Sequence, residues 1–179
     1  ICAQMHGYLL CRHNTFGNYI SWRDNRGDTS NYRLTNVDFS ESGTAIKKNS
    51  PLASLCTYEE SILAESEFFT LGSYISFLLT GKNITHKTDA CASGFFNSCT
   101  LEKYDFFDNL VLPSVLDKVE MIGKYRGIDI YAPMGDHQIS FLGSGAEKKN
   151  AYLLNIGTAT QISTLAESEA TCKNCEKRP

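Results

Sequence analysis

Apolar positions fall in short runs separated by glycine-, asparagine- and charge-rich breaks. Tyr8-Leu9-Leu10-Cys11 reads as one strand, Asn14-Thr15-Phe16-Gly17-Asn18 as a turn, and Tyr19-Ile20-Ser21-Trp22 as a second strand completing a hairpin. Residues 29–50 are rich in Ser, Thr and Asn and predict irregular surface structure. Pro51 opens a helix running to about Leu63. From Phe68-Phe69-Thr70-Leu71 through Tyr74-Ile75-Ser76-Phe77-Leu78-Leu79, apolar residues recur at helical spacings. Gly81 then suits a left-handed cap. Small residues over Thr85–Gly94 predict a helix packed closely on its neighbour, and another helix is expected between Tyr104 and Val119. Ile128-Asp129-Ile130-Tyr131-Ala132 is a β-branched strand leading into Gly135-Asp136, and Ile139 to Gly145 a capped helix. Tyr152 to Ile156 and Gln161 to Leu165 read as antiparallel strands.

This alternation of strands and helices argues for an α/β fold. Strands are few for so many helices, as in a sheet lacking members. With Ile1 opening the chain and Pro179 closing a polar run, the expectation is a segment of a longer protein. A hydrophobic content of 42% with 21% charged residues fits a soluble domain with a real core. The net charge of -3 offers no electrostatic reason to expect nucleic acid or an acidic membrane surface. No apolar run approaches the length of a membrane span, so the expected location is cytoplasmic. Seven cysteines, mostly single, suit free thiols in a reducing compartment better than a disulfide framework. Cys172-Lys173-Asn174-Cys175 lacks the further ligands that a zinc site needs and is taken as incidental, so no metal ligand is assigned.

Two strand ends carry candidate chemistry. Ala132-Pro133-Met134-Gly135-Asp136-His137-Gln138 places a carboxylate directly after a glycine, and Leu153 to Ile156 runs into Gly157-Thr158. Ligands of open α/β sheets gather beyond the carboxyl ends of strands, where a glycine permits close approach and a hydroxyl can meet phosphate.

Five stretches in register resemble the FGGY family of carbohydrate kinases. Gln4-Met5-His6-Gly7 is similar to the Q-M-H-G of its xylulokinase-like branch, and Trp22-Arg23-Asp24-Asn25-Arg26 to its W-x-D-x-R segment. Leu79-Thr80-Gly81 with Thr88-Asp89-Ala90 and Ala92-Ser93-Gly94 resembles an L-T-G, T-D and A-S series. Gly135-Asp136-His137-Gln138 matches G-D-x-Q, and Gly157-Thr158 matches a phosphate-binding G-T turn. The resemblance spans roughly residues 1 to 165. It implies an actin-like, ribonuclease-H-like fold lacking its first strands and most of its second domain. Residues 1–150 would form a partial sugar-binding domain and 151–179 the start of the nucleotide-binding domain.

The resemblance also implies roles. Asp136 would be the general base that takes the proton of the attacking sugar hydroxyl. Gln4, Met5, His6, Trp22 and His137 would join it in binding the sugar. Gly157 and Thr158 would meet ATP, whose phosphate charge Mg²⁺ would neutralise. Expected partners are therefore a small sugar and ATP, with a homodimer left open. Q-M-H-G favours xylulose or sedoheptulose over glycerol, Thr88-Asp89-Ala90 leans toward sedoheptulose, and W-x-D-N-R keeps gluconate open. The competing reading is a truncated or degenerate domain that binds sugar, or a partner, without turnover.

Overall fold

A computed structural model describes residues 1–146, 151–156, 160–166, 175–176 and 178–179. Its centre is a three-stranded antiparallel sheet of β2 (Tyr8–Arg12), β3 (Thr15–Phe16) and β4 (Ser66–Thr70) in the order β3-β2-β4. Arg12 pairs with Thr15 across a two-residue turn. His13 and Asn14, at φ 49° and 59°, both take the left-handed conformation that lets such a turn follow the twist of its strands. The hairpin therefore turns earlier than its sequence suggests, and Tyr19–Trp22 contributes only the Tyr8–Ile20 bridge.

Strand β4 is the main departure from the sequence reading, which ran Phe68-Phe69-Thr70 into a helix. Five residues of β4 pair with β2, Tyr8 opposite Thr70 through Arg12 opposite Ser66. Successive side chains of a strand point to opposite faces, and here both faces are buried. Phe68 stacks on Tyr8 (ring centroids 5.6 Å apart) and meets Phe95 edge-on (5.3 Å). Phe69 turns the other way, against Phe16 (5.1 Å) and Phe77 (5.4 Å). Contiguous aromatics on a doubly covered strand look like one stretch of a helical stripe, so periodicity alone could not separate the two.

The Phe68 side is the principal core, built with Leu52, Leu55, Leu63, Cys91 and Phe95. Tyr8 enters it whole because its hydroxyl finds Ser54 Oγ at 2.7 Å, which offsets the cost of burying a phenol. Short helices cover this core: α1 (Tyr32–Thr35), α2 (Pro51–Leu55) and α3 (Glu60–Ala64). The last two replace the single helix expected from Pro51 to Leu63.

On the Phe69 side lies α4 (Leu71–Thr80), capped at its start by Thr70 Oγ1 accepting from the Ser73 N–H and at its end by left-handed Gly81. Beyond it, Ile84–His86 forms β5, followed by the short helix α5 (Lys87–Ala90) and a 3₁₀ turn over Cys91–Ser93. Here a single helix was expected. β5 pairs in parallel with β6 (Ser114–Leu116), inside the span 104–119 read as helical. The residues of 104–113 run without a helix, and Val111 bonds the open edge of β4.

β7 (Met121–Tyr125) and β8 (Ile128–Tyr131) make a hairpin through left-handed Arg126 and Gly127. The chain then enters β9 (Met134–Gly135) and α6 (Asp136–Gly143), followed by the hairpin of β10 (Leu153–Ile156) and β11 (Thr160–Ser163). The first two-residue strand, β1 (Cys2–Ala3), lies parallel to β9. Since the His86 N–H donates to the Pro133 carbonyl at 3.0 Å, strands β6, β5, β9 and β1 stand side by side. Among the described residues no helix is long and apolar enough to cross a membrane.

Candidate active site

Parallel pairing of β1 with β9 sets Cys2 opposite Met134 and Ala3 opposite Gly135. Both strands end at the same level and in the same direction. Gln4-Met5-His6-Gly7 leaves one and Asp136-His137-Gln138 leaves the other, so two motifs 132 positions apart in the chain emerge together. Parallel strand ends of this kind are where α/β sheets take ligands.

The contact between the motifs is close. A Cβ on Gly135 would lie 2.7 Å from Met5 Sδ and 2.8 Å from Gln138 Oε1. Gly135 thus lets the buried Met5 thioether rest on the backbone that carries Asp136. Asp136 opens α6, in the first turn, where the helix dipole favours a carboxylate. Its Oδ1 accepts from the His137 N–H at 2.9 Å, which leaves Oδ2 outside that bond.

His6 takes a left-handed backbone, φ 66°, uncommon for a residue with a side chain and a mark of a constrained site. Its Nδ1 is buried without a hydrogen-bond partner, and so is Gln138 Oε1. Orphaned polar atoms cost free energy unless something else pairs with them. Burial, then the Arg178 charge, lowers the His6 pKa and keeps the ring neutral, with Nδ1 and Nε2 able to offer one donor and one acceptor. His137, also lowered by burial and by Arg178, holds Ser163 Oγ at 3.2 Å through Nε2. Both imidazoles thus sense Arg178, and Gln138 Nε2 donates to the Pro179 carbonyl at 3.4 Å, so the end of the chain lies against this site.

Gln4, in the same loop as Met5, is exposed, and Trp22 is half-buried. Trp22 packs beneath the Arg23 guanidinium (5.2 Å to the ring centroid), and its carbonyl accepts from Asn49 at 3.1 Å. Downstream in the same motif, Asp24 takes two hydrogen bonds from the Arg26 side chain, at 2.9 and 2.6 Å, an internal clamp that lowers its pKa. Gly157 and Thr158 lie outside the described residues. Cys175 is disulfide-bonded, a departure from the expectation of free thiols rather than disulfides. No cluster of three or more potential metal ligands occurs among the described residues.

Two contributors carry no role in the sequence reading. Gln138 was visible only as the last letter of G-D-x-Q. Asp89, inside the small-residue stretch, is 2% exposed and accepts from Thr70 Oγ1 (2.5 Å) and Thr85 Oγ1 (2.7 Å). Burial pushes its pKa up to about 6, the two hydroxyls oppose that rise, and the Asp136 charge adds to it. The sequence offered Asp89 only as the middle letter of Thr88-Asp89-Ala90.

Solved structures of similar architecture include sugar kinases. A ligand-bound xylulose kinase from Lactobacillus acidophilus matches with a TM-score of 0.77 at 22% identity, covering 90% of this chain and 39% of that one. A gluconate kinase from the same organism matches with a TM-score of 0.77 at 22% identity, covering 90% and 38%. Plasmodium falciparum glycerol kinase with ADP follows at 0.74 and 16% identity, covering 89% and 38%. No family model matches the sequence, and no curated protein does. The chain spans about two fifths of the length of these structures. The shared feature is the architecture: a mixed helix and strand arrangement of the actin-like, ribonuclease-H-like kind found in sugar-kinase domains.

Proposed function

We propose that this chain is the sugar-binding part of an ATP-dependent carbohydrate kinase, with Asp136 as the general base. The observation that carries the reading is the parallel β1–β9 pairing, which delivers Met5 and His6 to the side of Asp136 and Gln138. His6 Nδ1 and Gln138 Oε1 are suited to sugar hydroxyls, which can donate and accept at once. Met5 supplies an apolar surface for sugar carbons. Gln4, next to Met5 in the chain, and His137, next to Asp136, are assigned to the same site, and Trp22 is assigned to the sugar on its resemblance alone.

In the reaction, an Asp136 oxygen accepts the proton of a sugar hydroxyl as that oxygen attacks the γ-phosphorus of ATP. The bond from phosphorus to the bridging oxygen breaks and ADP leaves. ATP enters as a substrate, and Mg²⁺ accompanies its phosphates and offsets their charge. Gly157 and Thr158 are assigned to the phosphates on the resemblance of their G-T turn. On this reading, residues 1–150 bind the sugar and 151–179 begin the nucleotide-binding domain. A ketose of the xylulose or sedoheptulose type is the preferred acceptor, supported by Q-M-H-G, with gluconate second.

Calorimetry of the full-length protein with xylulose, sedoheptulose, gluconate and glycerol tests the site. One of the first three should bind, and His6→Ala should weaken that binding by about 1–3 kcal/mol, the worth of hydrogen bonds at a buried polar group. Sugar affinity indifferent to His6 would remove this site from the account.

A further inference from the structure

Behind the strand ends lies a buried carboxylate that the reaction above does not use. Asp89 is 2% exposed, and its Oδ2 gathers the hydroxyls of Thr70, at the end of β4, and Thr85, in β5. A Cβ added to Gly72 of α4 would lie 3.0 Å from that same oxygen, 2.8 Å from Pro133 Cβ and 3.2 Å from Ala3 Cβ. Asp89 is therefore packed into the point where α4 meets both β1 and the approach to β9.

The segment around Asp89 also grips the backbone leading to Asp136. Thr85 Oγ1 lies 3.3 Å from the Pro133 carbonyl, and the His86 N–H donates to that carbonyl at 3.0 Å. Thr88 Oγ1 accepts from the Gly135 N–H at 3.1 Å. Three of the four residues from Thr85 to Thr88 hold Pro133 or Gly135, immediately before the proposed base.

Resting on the kinase reading of this site, we propose that Asp89 is a positioning residue for Asp136. Its carboxylate, accepting from the hydroxyls of Thr70 and Thr85, orders the Thr85–Thr88 segment that grips the Pro133 carbonyl and the Gly135 N–H, and so holds the backbone that carries the base. Burial raises the proton affinity of Asp89, and the Asp136 charge adds to the rise. Other ionisable groups nearby are accounted for. The Tyr19 phenol senses the Asp89 charge across from α5. His86 is bonded to Thr88 Oγ1 and to the Asp117 carbonyl, and Lys87 is paired with the Asp117 carboxylate. At the contact point α4 presents Gly72 and β1 presents Ala3.

The test is sugar phosphorylation by the full-length protein carrying Asp89→Ala or Asp89→Asn, beside wild type and Asp136→Ala. Losing the oxygen to which Thr70 and Thr85 donate should lower kcat of Asp89→Ala about tenfold, while Asn, which keeps an acceptor oxygen there, should restore most of that loss. KM for the sugar should stay within about twofold, since Asp89 does not reach the substrate. If Asp136→Ala abolishes turnover but Asp89→Ala matches wild type, or kcat and KM shift together, or Asn recovers no rate, Asp89 is only structural. If Asp136→Ala retains its rate, the kinase reading itself falls. Thr85→Val, which removes the hydroxyl between Asp89 and Pro133, gives a second readout that does not depend on the folding of the Asp89 variants. It should lower kcat with KM retained, and a wild-type kcat would overturn the proposal.

Discussion

Asp89 illustrates how much a single buried group can shift stability with pH. Its folded pKa of about 6 lies above the ordinary value of 3.8, so the folded protein retains a proton that the unfolded chain has released. Stability tied to this group is therefore fully present below about pH 4 and lost as pH rises through about 6. The shift corresponds to about 3 kcal/mol at complete burial. Denaturation midpoints between pH 4 and 7 should fall in wild type relative to Asp89→Asn, which cannot titrate. Parallel midpoint curves for the two proteins would contradict this. The sequence offered Asp136 more readily than Asp89, because a carboxylate after a strand-end glycine is a local pattern. The role of Asp89 depends on Thr70, 19 positions away, and on Pro133, 44 positions away, distances that no local pattern encodes.

Two glycines separate the demands of fold and site at the level of the elements. Gly72 lies in the first turn of α4, where alanine would ordinarily favour the helix by about 1 kcal/mol. Here the added Cβ would meet Pro133 Cβ at 2.8 Å and Ala3 Cβ at 3.2 Å, neighbours held by ring and backbone. Overpacking of that kind costs about 1–3 kcal/mol, so Gly72→Ala should lower stability on balance. An unchanged or raised melting temperature would show that α4 does not seat against β1 and β9. At Gly135 the obstructing atoms are Met5 Sδ, Met5 Cγ and Gln138 Oε1, all toward the ends of flexible side chains. Gly135→Ala should consequently displace Met5 and Gln138 with little loss of stability, and weaken sugar binding by about tenfold through the disturbed site. Calorimetry alongside thermal melts checks both halves; full sugar affinity in Gly135→Ala would separate Met5 from the site.

The elements also mark where sequence reading reaches its limit. α4 with its Gly81 cap, β8, α6 and the β10–β11 hairpin follow from spacing and capping residues within a few positions. β4, β5 and β6 did not. Phe68 and Phe69 are both completely buried, so the strand lacks the alternation that would have identified it. The parallel β5–β6 pair depends on an intervening stretch of 27 residues, from Lys87 to Pro113, that returns Ser114 to Ile84.

For the whole molecule, the two halves of the proposed function rest on different ground. The proposed sugar side draws on the strand ends of β1 and β9, where Met5 and Gln138 meet at Gly135 beside Asp136. The nucleotide side rests on the proposed assignment of Gly157 and Thr158, in a chain that spans 39% of the matching xylulose kinase structure. Exposed Leu154, Ile156 and Ile162 on the β10–β11 hairpin are consistent with the start of a second domain in the proposed division. The central claim is that Asp136 serves the chemical step while its neighbours hold the sugar. The most direct measurement is sugar phosphorylation with ATP and Mg²⁺ by the full-length protein and its Asp136→Ala variant, with sugar affinity recorded for both. Loss of a general base predicts a fall in kcat of at least about a hundredfold with sugar affinity largely retained. A variant that phosphorylates its sugar at a rate close to wild type would contradict the account.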